Sequence, residues 1–260
     1  MTWGCGGECG EKIMYTPIKY RSVGIARNWT NKPTDRFVCQ IAVIKVTLTH
    51  HTLMAATKGE RTRADIIRQS AALFNRRGYA RASMSDITEV TGIKRGGIYN
   101  HFGSKDELAV ESFQFAAEKL IDGLEQTIDA HDDVRMGLRS IATAFAQVYD
   151  EGWTFAGGCP ILNTAVETRG QDGALRSAVQ EAMAALHELV RTTVADGVAR
   201  GTIADDVQPA EGATVFISTI EGALLLSALS EDRSHLEHAV AHLHRLIDQW
   251  AVPSESEPTS

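Results

Sequence analysis

From residue 62 onward, apolar positions recur with helical spacing almost to the end of the chain. Ala64, Ile67, Ala71 and Phe74 fall at i, i+3, i+7 and i+10, one face of a helix opened by Thr62 and closed by Arg76, Arg77 and Gly78. Ser83 and Asp86 stand at N-cap and N3 spacing, Ile87 and Val90 face inward, and Gly92 ends a second helix of about two turns. Arg95 to Phe102 is a third, short helix. Gly103 follows it, and Ser104-Lys105-Asp106-Glu107 reads as a capping box for a long fourth helix. Amphipathic helices are predicted over 104–128, 133–150, 159–169, 172–200, 209–229 and 232–250, with Gly201 and Pro209 as punctuation. No strand signal competes with them, so the predicted fold is all-α.

Residues 1–53 break this pattern. They contain only two Ala, start with a Gly/Cys-rich stretch and show no helical period. Phe37 to Leu48 has the Val, Ile and Thr content of a strand but no second strand to pair with. We expect 1–53 to be a disordered extension or a misassigned start, with Met54 as the working start, and 251–260 to be a disordered tail. Cys5, Cys9, Cys39, His50 and His51 match no common zinc spacing, so no metal and no cofactor is expected.

With 260 residues, 43% of them hydrophobic, the chain can bury a real core, and only 4 Cys point away from a disulfide scaffold and towards the cytoplasm. The longest apolar run, Ile41 to Leu48, is interrupted by Lys45, so no membrane-spanning helix is expected. The net charge of −7 argues against nucleic acid until it is divided along the sequence. Residues 54–106 carry ten Lys/Arg and five Asp/Glu, whereas 107–260 carry nine and twenty-five. A compact basic block is thus joined to an acidic body.

Two short helices around a Gly turn within that basic block form the helix-turn-helix arrangement that lays its second helix in the major groove. Arg95 would reach phosphate or guanine, and Gly96 and Gly97 would let the backbone approach the strand. Tyr99, Asn100 and His101 would add hydroxyl, amide and imidazole contacts, while Ile98 and Phe102 turn into the core. Lys105 at the start of the fourth helix would clamp a phosphate, with Ser83 and Lys94 as further contacts. Arg61 and Arg63 would lie near a flanking phosphate.

Residues 62–108, above all ITEVTGIKRGGIYNHFGSKDEL from Ile87 to Leu108, resemble the DNA-binding domain of the TetR/AcrR family of transcriptional regulators. The likeness departs at Thr88 and Thr91, where Ala is usual, and at Lys94, where a Ser cap is more common. It implies an N-terminal three-helix helix-turn-helix domain over 54–106, then a helical ligand-binding and dimerisation domain over 107–250. GGCPILNTAVE, from Gly157 to Glu167, resembles a stretch that opens a helix beside the pocket in many members.

The expected function is a ligand-responsive DNA-binding transcriptional regulator, a repressor released from a palindromic operator by a small molecule. The alternatives are an activator of the same family, or a helical enzyme using Cys159. An apolar set, Phe113, Phe145, Tyr149, Trp153, Phe155, Cys159, Leu162 and Phe216, would line a ligand pocket or serve as plain core. On the last helix Leu236, Val240, Leu243, Ile247 and Trp250 form an a/d stripe that wants a partner, and Ile217, Ile220 and Leu224 offer a similar face before it. Two such helices from each of two subunits would make a four-helix bundle, so a homodimer is expected. The expected partners are thus double-stranded operator DNA, an unknown small-molecule effector and a second copy of the chain, with no membrane. His235, His238 and His242 share a face of the last helix and are read as polar surface ahead of a metal site.

Overall fold

The computed structural model describes residues 57–151 and 157–252, with side chains from 146 to 151 left aside. The expectations placed on 1–53, 251–260, Tyr149, Trp153 and Phe155 fall largely or wholly outside the described residues. Nine helices are described: α1 (Lys58–Arg77), α2 (Met84–Thr91), α3 (Arg95–Tyr99), α4 (Lys105–Asp129), α5 (Val134–Glu151), α6 (Pro160–Glu167), α7 (Ala174–Ala199), α8 (Pro209–Ser230) and α9 (Ser234–Gln249). Among the described residues there is no β-strand, only an isolated bridge between Ile203 and Ala251 that ties the α7–α8 loop to the end of α9.

The chain's own caps set most of these boundaries. The N-cap of α1 lies five residues before the expected Thr62 because Thr57 and Glu60 form a complete capping box, leaving the Thr62 hydroxyl to donate to the Lys58 carbonyl. Its buried face is correspondingly turned: Ile66, Ser70, Ala71 and Leu73 are inside, Ile67 and Phe74 are half-buried, and Ala64 is exposed. Ser83 and Asp86 cap α2 reciprocally as predicted, and Gly92 closes it in the left-handed region at φ 66°. Ser104 caps Glu107, but the Glu107 carboxylate accepts from Gly103 N–H, one residue before the reciprocal position. α3 ends at Tyr99, and a tighter turn carries the chain to Phe102 through the His101 N–H bond to Ile98.

Two cores divide within one continuous helix. Ile66, Leu73, Ala82, Ile87, Ile98, Phe102 and Leu108 form the core of a head. From Phe113 onward α4 belongs to the body core, together with α5 to α9. Between them Ala71 of α1 meets Ala116 of α4, with Phe115 beside. The junction between head and body is therefore a packed helix rather than a linker.

The body overturns the predicted pairing of its last helices. Leu236, Leu243 and Ile247 are each 0% exposed within a single protomer, and Ile220, Leu224 and Trp250 are buried with them. Val240 and Ile217 pack half-buried on the same core. The a/d stripe of α9 thus finds its partners in α8 and α5 of its own chain. What α8 leaves in solvent is a different stripe: Val215, Ser218, Gly222, Leu225, Leu226 and Leu229, the last 82% exposed. α8 is long and apolar enough to cross a membrane by length and composition alone, but half of that stretch is buried inside the protein. Its apolarity reflects a core face and an outward apolar stripe on the same helix.

Candidate nucleic-acid interface

α2 and α3 are held at the edge of the head by Ile87, Ile98 and Phe102, each at most 2% exposed. The turn between them uses the Thr91 hydroxyl, which donates to the Ile87 carbonyl and accepts from Ile93 N–H. That hydroxyl gives the departure at Thr91 a local role. Lys94 stands exposed at the N-cap of α3 without a side-chain cap bond.

The outward face of α3 is cationic and unpaired. Lys94 and Arg95 are exposed, and among the described residues neither forms an ion pair. The Arg95 guanidinium lies 5.6 Å from the Tyr99 ring centroid, and the 40% exposed tyrosine supports it at the surface. Asn100 is exposed, and His101 is half-buried with its ring tilted against Phe102. A shallow groove of about 360 Å³ runs beside this face, lined by Thr88, Gly92, Ile93, Lys94 and Arg95.

Several expected contacts have other tasks. A Cβ on Gly97 would come within 2.8 Å of the Ile93 methyl, so that glycine fits the α2–α3 turn together; Gly96 faces open space. The Ser83 hydroxyl is engaged with Asp86, and the Ser83 bonds hold the Asp86 carboxyl below its ordinary range. Arg63 bonds Glu111 of α4 at 2.6 Å with its guanidinium 4.7 Å from the Phe102 centroid, fastening α1 to α4. Arg61 stays exposed. The Lys105 ammonium donates to the Tyr79 carbonyl at 2.7 Å and sits 4.3 Å from the Tyr79 ring centroid, with two donors left over. The Tyr79 hydroxyl donates to Asp106, and burial first, then that acidic neighbour, push its pKa up to about 12.

Both ends of α6 hold the head. At its start, Asn75 of α1 donates to the Gly158 carbonyl at 2.9 Å, and Asn163 donates to Asn75 and to the Gly157 carbonyl. Gly157 passes so close that a Cβ there would lie 2.8 Å from the Asn75 carbonyl oxygen. At its far end the Glu167 carboxylate accepts from the N–H groups of Tyr79 at 2.9 Å and Ala80 at 2.7 Å. Sequence reading missed Glu167 because its partners are backbone groups 88 and 87 residues away.

Of the expected pocket set, Phe113, Phe145, Cys159 and Phe216 are buried in the body core, and Leu162 packs on it half-buried. Cys159 is the N-cap of α6, and burial above all raises its thiol pKa well beyond the ordinary value, with Glu221 adding to the effect. Glu221 of α8, absent from the sequence expectation, is 5% exposed, and neither carboxylate oxygen has a hydrogen-bond partner. Burial raises its pKa to about 7, a rise that the neighbouring thiol, a weak donor, offsets in part. A lone acid in the apolar run VFISTIEGALLL was the signal for it. Among the described residues no three His, Cys, Asp or Glu side chains gather as they would around a metal ion.

Residues 66–111 match the family model described as bacterial regulatory proteins, tetR family, and residues 136–243 match the one described as tetracyclin repressor-like, C-terminal domain. A crystal structure of a TetR transcriptional regulator from Chloroflexus aurantiacus is 39% identical, covering 75% of this chain and 98% of that one with a TM-score of 0.70. The HTH-type transcriptional regulator LmrA of Bacillus subtilis is 26% identical over 68% of this chain and 92% of its own. The HTH-type transcriptional repressor DhaR of a Mycobacterium strain is 25% identical over 67% and 86%.

Proposed function

Because the chain belongs to the TetR family of transcriptional regulators, we propose that it is a repressor that binds a pseudo-palindromic operator as a dimer and leaves it when a small molecule enters the body. The observation that carries this reading is the unpaired Lys94-Arg95-Tyr99-Asn100 face of α3, presented by a head whose own core is closed. In this reading Lys94 and Arg95 meet phosphate or guanine, and Tyr99 and Asn100 meet backbone or base edges. Ser83 and Lys105 act chiefly by positioning: the first caps α2, and the second staples the start of α4 to the α1–α2 turn. The name of the DhaR relative supports repression over activation.

The second copy packs on the outward stripe of α8, Val215, Ser218, Gly222, Leu225, Leu226 and Leu229, which replaces the buried stripe expected from sequence. Nothing within 4 Å would meet a Cβ on Gly222, so a facing helix has room to approach closely there. A ligand shifts such a dimer only through its different affinity for the operator-competent and incompetent arrangements. α4 and α6 are the elements that would transmit the shift, since one runs through both cores and the other grips the end of α1 at two points. The enzyme alternative loses support from Cys159, whose buried, protonated thiol is the opposite of an activated nucleophile. A chromosomal regulator of this kind works in the cytoplasm.

Footprinting of the full chain on the DNA upstream of its own gene tests the reading. A protected palindrome supports it. Protection without dyad symmetry, or none on any fragment selected from the genome, contradicts it.

A further inference from the structure

The middle of α8 holds an unexplained group. Glu221 shares α8 with the buried Phe216, Ile220, Ala223 and Leu224, and both its oxygens are sealed from solvent, with nothing beside them to donate but the Cys159 thiol. Buried polar groups are almost always well satisfied, so a carboxyl met only by a thiol, in the domain expected to receive the effector, has room for a stronger donor from outside the chain. Its polar neighbour in the chain, the Cys159 thiol, is a weak donor. A carboxylate accepts and cannot donate, so it complements N–H groups and repels another carboxylate. Residues 107–250 carry twenty-three Asp/Glu against nine Lys/Arg, so the field of the body also favours a cation.

We propose that Glu221 is the recognition point for the effector, and that the effector is an amine or other cationic nitrogen compound with an apolar body, its N–H donating to the Glu221 carboxylate inside the core of the body. This rests on the ligand-responsive reading above. The site is also placed to be felt at the DNA. Cys159, beside Glu221, is the N-cap of α6, and α6 holds Asn75 at one end and the Tyr79–Ala80 backbone at the other. A ligand seated on Glu221 presses on the one short helix that grips the head at both ends.

The test is a thermal-shift and operator-release screen of the full chain against a library of amines, carboxylic acids and neutral compounds matched in size. The compounds that raise the melting temperature and release operator should be amines. The isosteric Glu221→Gln variant, its fold checked by circular dichroism, should bind them roughly tenfold more weakly or worse. Active compounds drawn from the acids or neutrals, or amines that bind Glu221→Gln as tightly as the parent, overturn the assignment while leaving the ligand-responsive reading intact. No active compound in any class overturns both.

Discussion

Head and body are both made of amphipathic helices, yet they fix those helices by different means. The head uses local devices: Thr57 with Glu60, Ser83 with Asp86, Gly92 at the end of α2, and a Thr91 hydroxyl inside the turn. Each acts within four residues, so each is written in the sequence beside the element it shapes. The body uses long-range packing. The stripe Leu236-Leu243-Ile247 is satisfied by α8 and α5, and Glu167 satisfies backbone groups far away in the chain. An apolar stripe tells that a helix face is covered, but not whether the same chain or a second copy covers it.

The sharpest way to break that comparison is to place a charge on each of the two stripes. Leu243→Asp buries a carboxylate in the core and should cost more than about 4 kcal/mol, leaving no folded protein by circular dichroism. Leu226→Asp changes an exposed position, so it should leave the protomer folded and halve its mass in light scattering. A folded monomer from Leu243→Asp, or an unchanged dimer from Leu226→Asp, would restore the stripe read from sequence.

The next effect belongs to Glu221. Its pKa of about 7 lies above the ordinary 4.5, so as pH rises from 4.5 to 7 the unfolded chain gives up this proton while the folded one keeps it. Stability from this group is therefore full at acid pH and lost as pH climbs through 7, by about 3 kcal/mol at pH 8. Thermal melts at pH 5 and pH 8 should show that loss in the parent and not in Glu221→Gln. An equal pH dependence in both would place the titration elsewhere.

Smaller still is the head's cap. Ser83→Ala removes the hydroxyl that holds α2 and should cost about 1 kcal/mol by urea denaturation, while Lys94→Ala should cost nothing measurable because that side chain caps nothing. Equal losses would mean that the head is not held by its caps.

The same contrast explains what could be read in advance. The all-α fold, the helix-turn-helix, the inward turn of Ile98 and Phe102 and the exposed face of Arg95 and Tyr99 all follow from short-range spacing. Gly97 and Arg63 were legible as residues of the head but not in their tasks, since steric fit to Ile93 and a bond to Glu111 depend on three-dimensional closeness. In the body, helix boundaries were legible within a residue or two at Pro160 and Pro209, because proline at N1 marks a start. The outward stripe of α8 was not. Leu225, Leu226 and Leu229 carry no short-range signal that sets them apart from Ile217, Ile220 and Leu224, and the packing of α9 on α8 leaves them outward.

We propose that the unpaired cations at the start of α3 bind duplex DNA. It is tested most directly by the salt dependence of operator affinity, measured for the full chain and for a Lys94→Ala/Arg95→Ala double variant of unchanged dimer mass. Affinity should fall steeply with salt for the parent, with a slope shallower by about one to two for the variant. Equal slopes and equal affinities would contradict it.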